Sequence, residues 1–189
     1  YFCIFFLVFC LYGLLRSLFS DFPLNSLTQE GSAFYFRYLF FSLAVVMILK
    51  RNPKIYKSLL WISLICAIII SVDGFYQFYK GVNILGFEKY GRGDRLTGFF
   101  NDEPIIGRYI AHLIPIVVSL IYYVYGIKKK IVYLTILILI FSEVFIFLSG
   151  ERAAFFFIVF YNVLIFIFIP KVRIIRIIGI FISFLLIIF

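Results

Sequence analysis

Seven apolar runs, most of them about as long as a bilayer is thick, dominate the sequence. They are Tyr1–Leu15, Ala33–Leu49, Lys57–Tyr76, Pro104–Tyr125, Ile131–Ser149, Ala153–Pro170 and Ile174–Phe189. A helix needs roughly 20 apolar residues to cross a bilayer core about 30 Å thick. The composition agrees, because 65% of the chain is hydrophobic and only 14% is charged. The sequence predicts an all-α, polytopic transmembrane helix bundle of about seven spans, the first and last of them truncated. Soluble, disordered and collagen-like classes are excluded.

The longest apolar stretch, Ile131–Ile169, must contain two spans. As one helix it would reach roughly 58 Å at about 1.5 Å per residue, nearly twice the thickness of the bilayer core. Its one polar break is Ser149-Gly150-Glu151-Arg152. We therefore place a turn at this tetrapeptide.

The distribution of basic residues predicts the orientation. Ten lysines and arginines and no acid occupy three alternate connections, Lys50–Lys57, Lys128–Lys130 and Lys171–Arg176. Basic connections face the cytoplasm, so the outer face carries Arg16–Ser32, the loop segment Asp73–Glu103 and the turn Ser149–Arg152. The net charge of +9 is thus interpreted as a topology signal, and no nucleic-acid partner is expected.

Nothing in the sequence indicates a second domain, so residues 1–189 are interpreted as a single transmembrane helical unit. The three cysteines, Cys3, Cys10 and Cys66, lie inside apolar runs and form no metal-binding or disulfide pattern. We expect neither a metal nor a cofactor.

The outer segment Gly91–Pro104 is rich in groups that suit a ligand. Its three glycines allow close approach of the backbone, and Arg92 and Arg95 offer forked donors for phosphate oxygens. Asn101, Asp102 and Glu103 before Pro104 predict a helix start. The alternative interpretation is a hydrated loop that ends in an acidic helix start.

The turn Ser149–Arg152 places an arginine at the amino end of a span. Helix amino ends carry partial positive charge and unpaired N–H groups, so Arg152 predicts an anion site there. In the alternative interpretation, Arg152 reaches lipid headgroups while Glu151 complements the helix dipole.

Arg108, His112 and Glu143 form a set of polar residues within the spans that end at the outer face. Charges at such depth are usually paired or face a wet cavity. We expect an ion pair between Arg108 and Glu143 that joins their helices, with His112 as an interhelical hydrogen-bonding residue. The functional alternative is a proton or ligand path through Glu143 and His112.

Two segments resemble the signatures of one membrane enzyme family. Arg95-Leu96-Thr97-Gly98-Phe99-Phe100-Asn101-Asp102-Glu103-Pro104, followed by Gly107 and Tyr109, is similar to the RLTG-F-(D/N)-P-N-G-Y segment of the O-antigen ligase and O-antigen polymerase superfamily. Leu148–Ala154 resembles the second signature of that family, a serine- and arginine-bearing step at the outer end of a span. The order of the two signatures, with one cytoplasmic turn between them, also fits, and the resemblance covers roughly residues 75–160.

The resemblance implies a metal-independent glycosyltransferase of the bacterial inner membrane that acts at the periplasmic face. Such enzymes transfer an oligosaccharide from undecaprenyl pyrophosphate to lipid A-core, to another glycan or to a protein. The implied substrate-binding residues are Arg95, Arg152, Arg92, Asp102 and Glu103, with the arginines on the donor pyrophosphate. The catalytic histidine of the family is expected in a loop after Phe189. Glu151 departs from the small or hydroxyl residue often found before the arginine.

Two other classes remain open. A transporter or flippase for an anionic or lipid-linked solute would use Arg108, His112 and Glu143 as an intramembrane path, although the sequence shows no inverted repeat. A purely structural membrane subunit predicts that the outer arginines tolerate alanine. The sequence does not separate ligase from polymerase.

Overall fold

The protein is helical, as the apolar runs predict. The computed structural model describes residues 2–28, 32–91 and 95–188. Its helices are α1 (Phe2–Leu18), α2 (Pro23–Thr28), α3 (Tyr35–Arg51), α4 (Ile55–Lys80), α5 (Ile106–Tyr125), α6 (Lys129–Leu148), α7 (Arg152–Phe168) and α8 (Arg173–Ile188). Each of the seven apolar runs forms one helix, and the short α2 lies in the polar segment after the first run. The all-α fold class is confirmed.

The lengths of the helices support a multi-pass membrane protein. Within the described residues, four helical segments are long and apolar enough to cross a bilayer, namely Ser32–Arg51, α4, α5 and α6. Helices α7 and α8 pass the same test together, but their axes bend by 109° at the break between them. The apolar part of α1, Ile4–Leu18, is shorter.

The chain divides into two compact units, Tyr1–Ile55 and Tyr56–Phe189, where the sequence predicts one. In the first unit, α1 packs against α2 and α3. The ring of Phe9 meets that of Tyr35 edge-on, with 5.7 Å between the ring centroids. Cys10 is buried there, as expected of a cysteine in an apolar run.

The second unit is built around α5, whose buried face contacts α4, α6 and α7. Near one end Leu60 of α4 packs with Val117 and Ile121, whereas near the other end Gly74 lies against Ile106. Helices α4 and α5 are therefore antiparallel.

Helix α8 runs parallel to α6. Val172, just before α8, packs with Val132 and Ile136, and Ser183 further along α8 reaches Glu143. The bend between α7 and α8 occurs at Ile169 and Pro170, because proline cannot continue the hydrogen-bond ladder of α7.

Connections of the second unit lie at two ends. Among the described residues, the loop end holds 81–91, 95–105 and 149–151, and the lysine end holds Lys128–Lys130 and Lys171–Arg173. This alternation follows from the antiparallel order of α4 to α7.

The loop segment predicted over Asp73–Glu103 is shorter than expected. Helix α4 continues to Lys80, so residues 73–80 are helical and the loop begins at Gly81. Asp73 and Gln77 on this last part of α4 are fully buried. Their polar groups suggested an exposed loop, but they are buried because the loop itself folds over them.

The predicted orientation can be checked by labelling from outside the cell. We expect a membrane-impermeant maleimide to label Asp102→Cys at the loop end of intact cells but not Lys129→Cys at the lysine end. Both variants should be labelled after the membrane is permeabilised, and the wild-type chain gives the background. Labelling of Lys129→Cys alone in intact cells would invert the topology.

Candidate site at the loop end

The loop after α4 is held by Gln77. The Gln77 side-chain oxygen accepts hydrogen bonds from the backbone N–H groups of Thr97 (2.9 Å) and Gly98 (2.8 Å). Its amide nitrogen donates to the Thr97 hydroxyl at 2.9 Å and to the carbonyl oxygens of Phe87 and Glu88 at 3.2 Å. The buried Gln77 side chain thus links the part of the loop at residues 87–88 to the part at residues 97–98.

Gly98 occupies a position that favours glycine on two grounds. Its φ is +53°, and an added Cβ would lie 2.5 Å from Cδ1 of Ile106 and 3.0 Å from Oδ2 of Asp73. The Asn83 side-chain amide donates to the Gly98 carbonyl oxygen at 2.6 Å. The Thr-Gly pair of the first signature is therefore buried and structural, whereas the preceding Arg95 is exposed.

The two signature segments meet at the loop end. The backbone N–H of Leu96 donates to the carbonyl oxygen of Ser149 at 3.2 Å. Gly107, at the start of α5, lies so close to this turn that an added Cβ would clash with the Ser149 hydroxyl and lie 3.0 Å from Oε2 of Glu151. Two segments separated by a full helical hairpin thus form one surface.

Helix α5 is capped by a distant carboxylate. Within the described residues its own N-cap, Ile105, makes no side-chain capping bond. Instead Oε2 of Glu151 accepts the backbone N–H of Arg108 at 2.6 Å, and Oε1 of Glu151 lies 3.2 Å from Nε of Arg108. Glu151 is 6% exposed. Its position at a helix amino end favours the negative charge.

The predicted helix start at Asn101–Pro104 is wrong by a few residues. The chain turns at residues 100–103, with the N–H of Glu103 donating to the Phe100 carbonyl and Asn101 at φ 54°. Helix α5 begins at Ile106. Asp102 and Glu103 are exposed on this turn rather than capping the helix, because Glu151 fills that role.

The remaining predicted substrate residues are distributed over the same end. Arg152 is exposed and borders a cavity of about 320 Å³ lined by Ile146, Phe147, Gly150, Glu151, Arg152 and Phe155. Arg95 is not among these lining residues, although its neighbour Leu96 bonds to the turn. Convergence of the Arg95 and Arg152 side chains stays a prediction. Arg92 lies outside the described residues.

The predicted ion pair between Arg108 and Glu143 is wrong. Arg108 pairs with Glu151 at the loop end, whereas Glu143 pairs with Arg176 of α8 inside the bundle. The sequence placed Arg176 in a cytoplasmic connection, but it lies one turn into α8 and is fully buried. Helix α6 is rotated about its axis so that Glu143 faces α8 rather than α5.

Glu143 and Arg176 belong to a buried polar cluster with Asn162 and Ser183. Arg176 donates from Nε and Nη2 to the Asn162 side-chain oxygen at 2.9 and 2.6 Å. Glu143 accepts from the Asn162 amide at 2.6 Å and from the Ser183 hydroxyl at 2.5 Å. These hydrogen bonds offset much of the cost of burying two charges.

A small cavity of about 100 Å³ adjoins this cluster between α7 and α8. Glu143, Asn162 and Ser183 contribute its polar part, and the remaining lining is apolar. Arg108 and His112 lie elsewhere: His112 is exposed, its Nδ1 is 2.7 Å from the Arg108 carbonyl oxygen, and its ring packs on Phe157. The structure does not join the three predicted intramembrane residues into one path.

Sequence reasoning missed Gln77, Asn83, Asn162 and Arg176. A signal for Arg176 was present, since Arg176, Gly179 and Ser183 follow the spacing i, i+3, i+7 on one helix face. Such a polar and small stripe on an apolar helix indicates a buried contact. Gln77 and Asn83 lack any comparable signal, because their partners are backbone groups of the loop.

Comparison of the chain with protein-family models, with curated proteins and with solved structures finds no match. In the described part of the chain, no group of three or more His, Cys, Asp or Glu residues is placed to hold a metal ion.

Proposed function

We propose that the protein is a membrane glycosyltransferase that uses an undecaprenyl-pyrophosphate-linked oligosaccharide as donor, in the manner of O-antigen ligases and polymerases. The observation that carries the proposal is the hydrogen bond from Leu96 to Ser149, which joins the two segments that resemble the signatures of that family. The acceptor is lipid A-core, another glycan or a protein. The site acts at the periplasmic face of the bacterial inner membrane.

Glycosyl transfer from a pyrophosphate develops negative charge on the leaving group. Arg152 stands at the amino end of α7, where the helix dipole adds to its own charge. A fixed guanidinium forms two parallel hydrogen bonds to phosphate oxygens and stabilises that charge without a metal. This is the chemical role assigned to Arg152, with Arg95 as its partner from the neighbouring loop.

The cavity beside Arg152 suits a lipid-linked anion. Ile146, Phe147 and Phe155 supply apolar walls next to the charged group. A ligand with a polar head and an isoprenoid tail requires this combination, since the head needs hydrogen-bond donors and the tail needs contact with apolar surface.

Arginine variants of the full-length enzyme, which would carry the catalytic histidine expected after Phe189, test the proposal in membranes from cells that produce it. We expect Arg152→Ala and Arg95→Ala to lower the rate of glycan transfer from undecaprenyl pyrophosphate by about a hundredfold or more, comparable to losing an oxyanion donor worth about 2.7–4 kcal/mol. Lysine should substitute poorly, because it lacks the planar fork. The rate is measured as labelled glycan appearing on the acceptor.

Arg51→Ala is the matched control, since it removes one exposed arginine at the end of α3. Transfer by Arg51→Ala should equal that of wild type, with all variants at equal membrane levels. Wild-type transfer by both Arg152→Ala and Arg95→Ala would refute the roles assigned to the two arginines, and no transfer above background by the wild-type enzyme would refute the proposed function and favour the structural-subunit hypothesis.

A transporter or flippase of anionic or lipid-linked solutes is the second candidate. The observation that favours it is the cavity beside the buried Glu143–Arg176 pair, since intramembrane charges often mark solute paths. Proteoliposomes distinguish the two functions. A transporter moves a labelled lipid-linked glycan across the bilayer without an acceptor, whereas a transferase consumes it only when an acceptor is supplied.

A further inference from the structure

The amino ends of α5 and α7 and the Arg108 guanidinium all lie at Glu151. This residue is itself the N-cap of α7 and lies next to Arg152. Its side chain reaches the first turn of α5, where it bonds the backbone N–H of Arg108 and pairs with the Arg108 guanidinium. Two helix amino ends and one guanidinium thus adjoin one carboxylate, and Arg152 follows that residue in the sequence.

Such an arrangement is suited to a phosphate group. Helix amino ends bind phosphate through free N–H groups and the dipole, and arginine binds it through its fork. Gly107, beside Arg108, leaves the approach to α5 free of any side chain, and a Cβ there would meet Ser149 and Glu151. The position that a phosphate oxygen would take is occupied by Oε2 of Glu151.

The Glu151 carboxylate does not use all the hydrogen-bonding capacity at the amino end of α5. Oε1 of Glu151 is buried and has no hydrogen-bond partner in the described part of the chain, although it lies within ion-pair distance of Arg108. The Arg108 side chain is 51% exposed, so part of its guanidinium is open to another partner. A phosphate has more acceptor oxygens and more charge than a carboxylate, and it would engage these donors better.

We propose that Glu151 holds the place of a phosphate-class anion. On binding, the anion takes the Arg108 guanidinium and the amino end of α5, and Glu151 moves into water. Arg108 then joins Arg152 as a phosphate-binding arginine, and Glu151 sets how strongly the site binds. The identity of the anion as a lipid pyrophosphate rests on the proposed function, but the anion site itself does not.

Binding of inorganic pyrophosphate to the full chain in phosphatidylcholine nanodiscs tests this inference. We expect Glu151→Gln to bind pyrophosphate about tenfold more tightly than wild type, because the neutral amide competes less well for the Arg108 guanidinium. A tenfold change is comparable to the free energy of roughly one charge-assisted hydrogen bond. Glu88→Gln is the matched control, because it removes an exposed carboxylate from the same loop end. Its affinity should stay within about twofold of wild type if long-range charge is screened.

A double variant identifies the arginine. Glu151→Gln with Arg108→Ala should lose the gain and return to wild-type affinity. Thermal unfolding of each variant, measured alongside, separates weaker binding from loss of the α5 cap. Unchanged or weaker binding by folded Glu151→Gln overturns the inference, as does an equal gain in Glu88→Gln or no pyrophosphate binding by any variant.

The lipid ligand is tested separately with undecaprenyl pyrophosphate added to the same nanodiscs. If Glu151→Gln gains affinity for pyrophosphate but wild type prefers undecaprenyl pyrophosphate no more than phosphatidylglycerol, the anion site stands and the proposed function fails. If wild type shows that preference and Glu151→Gln shows no gain, the function stands and the role of Glu151 is refuted.

Discussion

Replacing Arg176 with alanine is expected to destabilise the second unit by about 3–5 kcal/mol, the usual cost of breaking a buried ion pair. The change leaves the Glu143 carboxylate buried without its cation and removes both donors to the Asn162 oxygen. The free energy of unfolding in mixed micelles measures the effect. Arg173→Ala, which alters an exposed arginine at the start of the same helix, should cost far less.

Removing both charges tests whether the pair itself is responsible. The double variant Glu143→Leu with Arg176→Met should be much more stable than the sum of the two single changes predicts, since neither charge then remains buried alone. Additive losses in the two single variants and the double variant would show that Glu143 and Arg176 contribute independently, contrary to the contacts described above.

Gly98→Ala is expected to lower stability by about 2–5 kcal/mol. A positive φ costs an alanine about 1–2 kcal/mol, and overpacking against Ile106 and Asp73 adds about 1–3 kcal/mol. Because the backbone N–H of Gly98 also donates to the Gln77 side-chain oxygen, the loop should loosen as well. Limited proteolysis within the loop, together with the unfolding free energy, measures both effects.

Gly86→Ala isolates the contribution of packing. Gly86 has a φ of +89° in the same loop, but no atom lies within 4 Å of an added Cβ. The Gly86→Ala variant should lose only the stability that the positive φ costs an alanine, about 1–2 kcal/mol. An equal loss in both variants would show that the contacts of Gly98 with Ile106 and Asp73 contribute nothing.

The helices could be predicted because their signal is local. Each apolar run is bounded by polar or charged residues, and the run Ile131–Ile169 is too long for one span. The turn predicted at Ser149–Arg152 followed from that argument, and the structure has it at residues 149–151, with Arg152 as the first residue of α7. The last eight residues of α4, 73–80, were predicted as loop, because Asp73 and Gln77 are polar and the sequence alone does not show the loop that buries them.

Partners across helices could not be predicted from sequence alone. Arg108 and Glu143 lie at comparable depths, but a contact also requires that both side chains face the same gap between helices. Helix α6 is rotated so that Glu143 faces α8, where it pairs with Arg176. Helix α5 lies close to the 149–151 turn, so Arg108 pairs with Glu151. The depth of a side chain in the membrane can be counted from the sequence, whereas the rotation of a helix about its axis depends on how the helices pack.

The meeting of the two signature segments was anticipated only in part. The expectation that Arg95 and Arg152 converge rested on their shared end of the bundle, and the bond from Leu96 to Ser149 brings their backbones together. The role of Glu151 as a cap for α5 gave no sequence signal, since 43 residues separate it from Arg108. A cap of this kind is visible only in three dimensions.

The burial of Arg176 bears on how the protein enters the bilayer during synthesis. A charged side chain within a membrane helix is costly unless it is paired, and Arg176 lies one turn into α8. Helix α6, which carries Glu143, is made before α8 and is already in place when Arg176 arrives. We therefore expect α8 to leave the translocon against α6 rather than as an independent segment, so that α6, α7 and α8 integrate together.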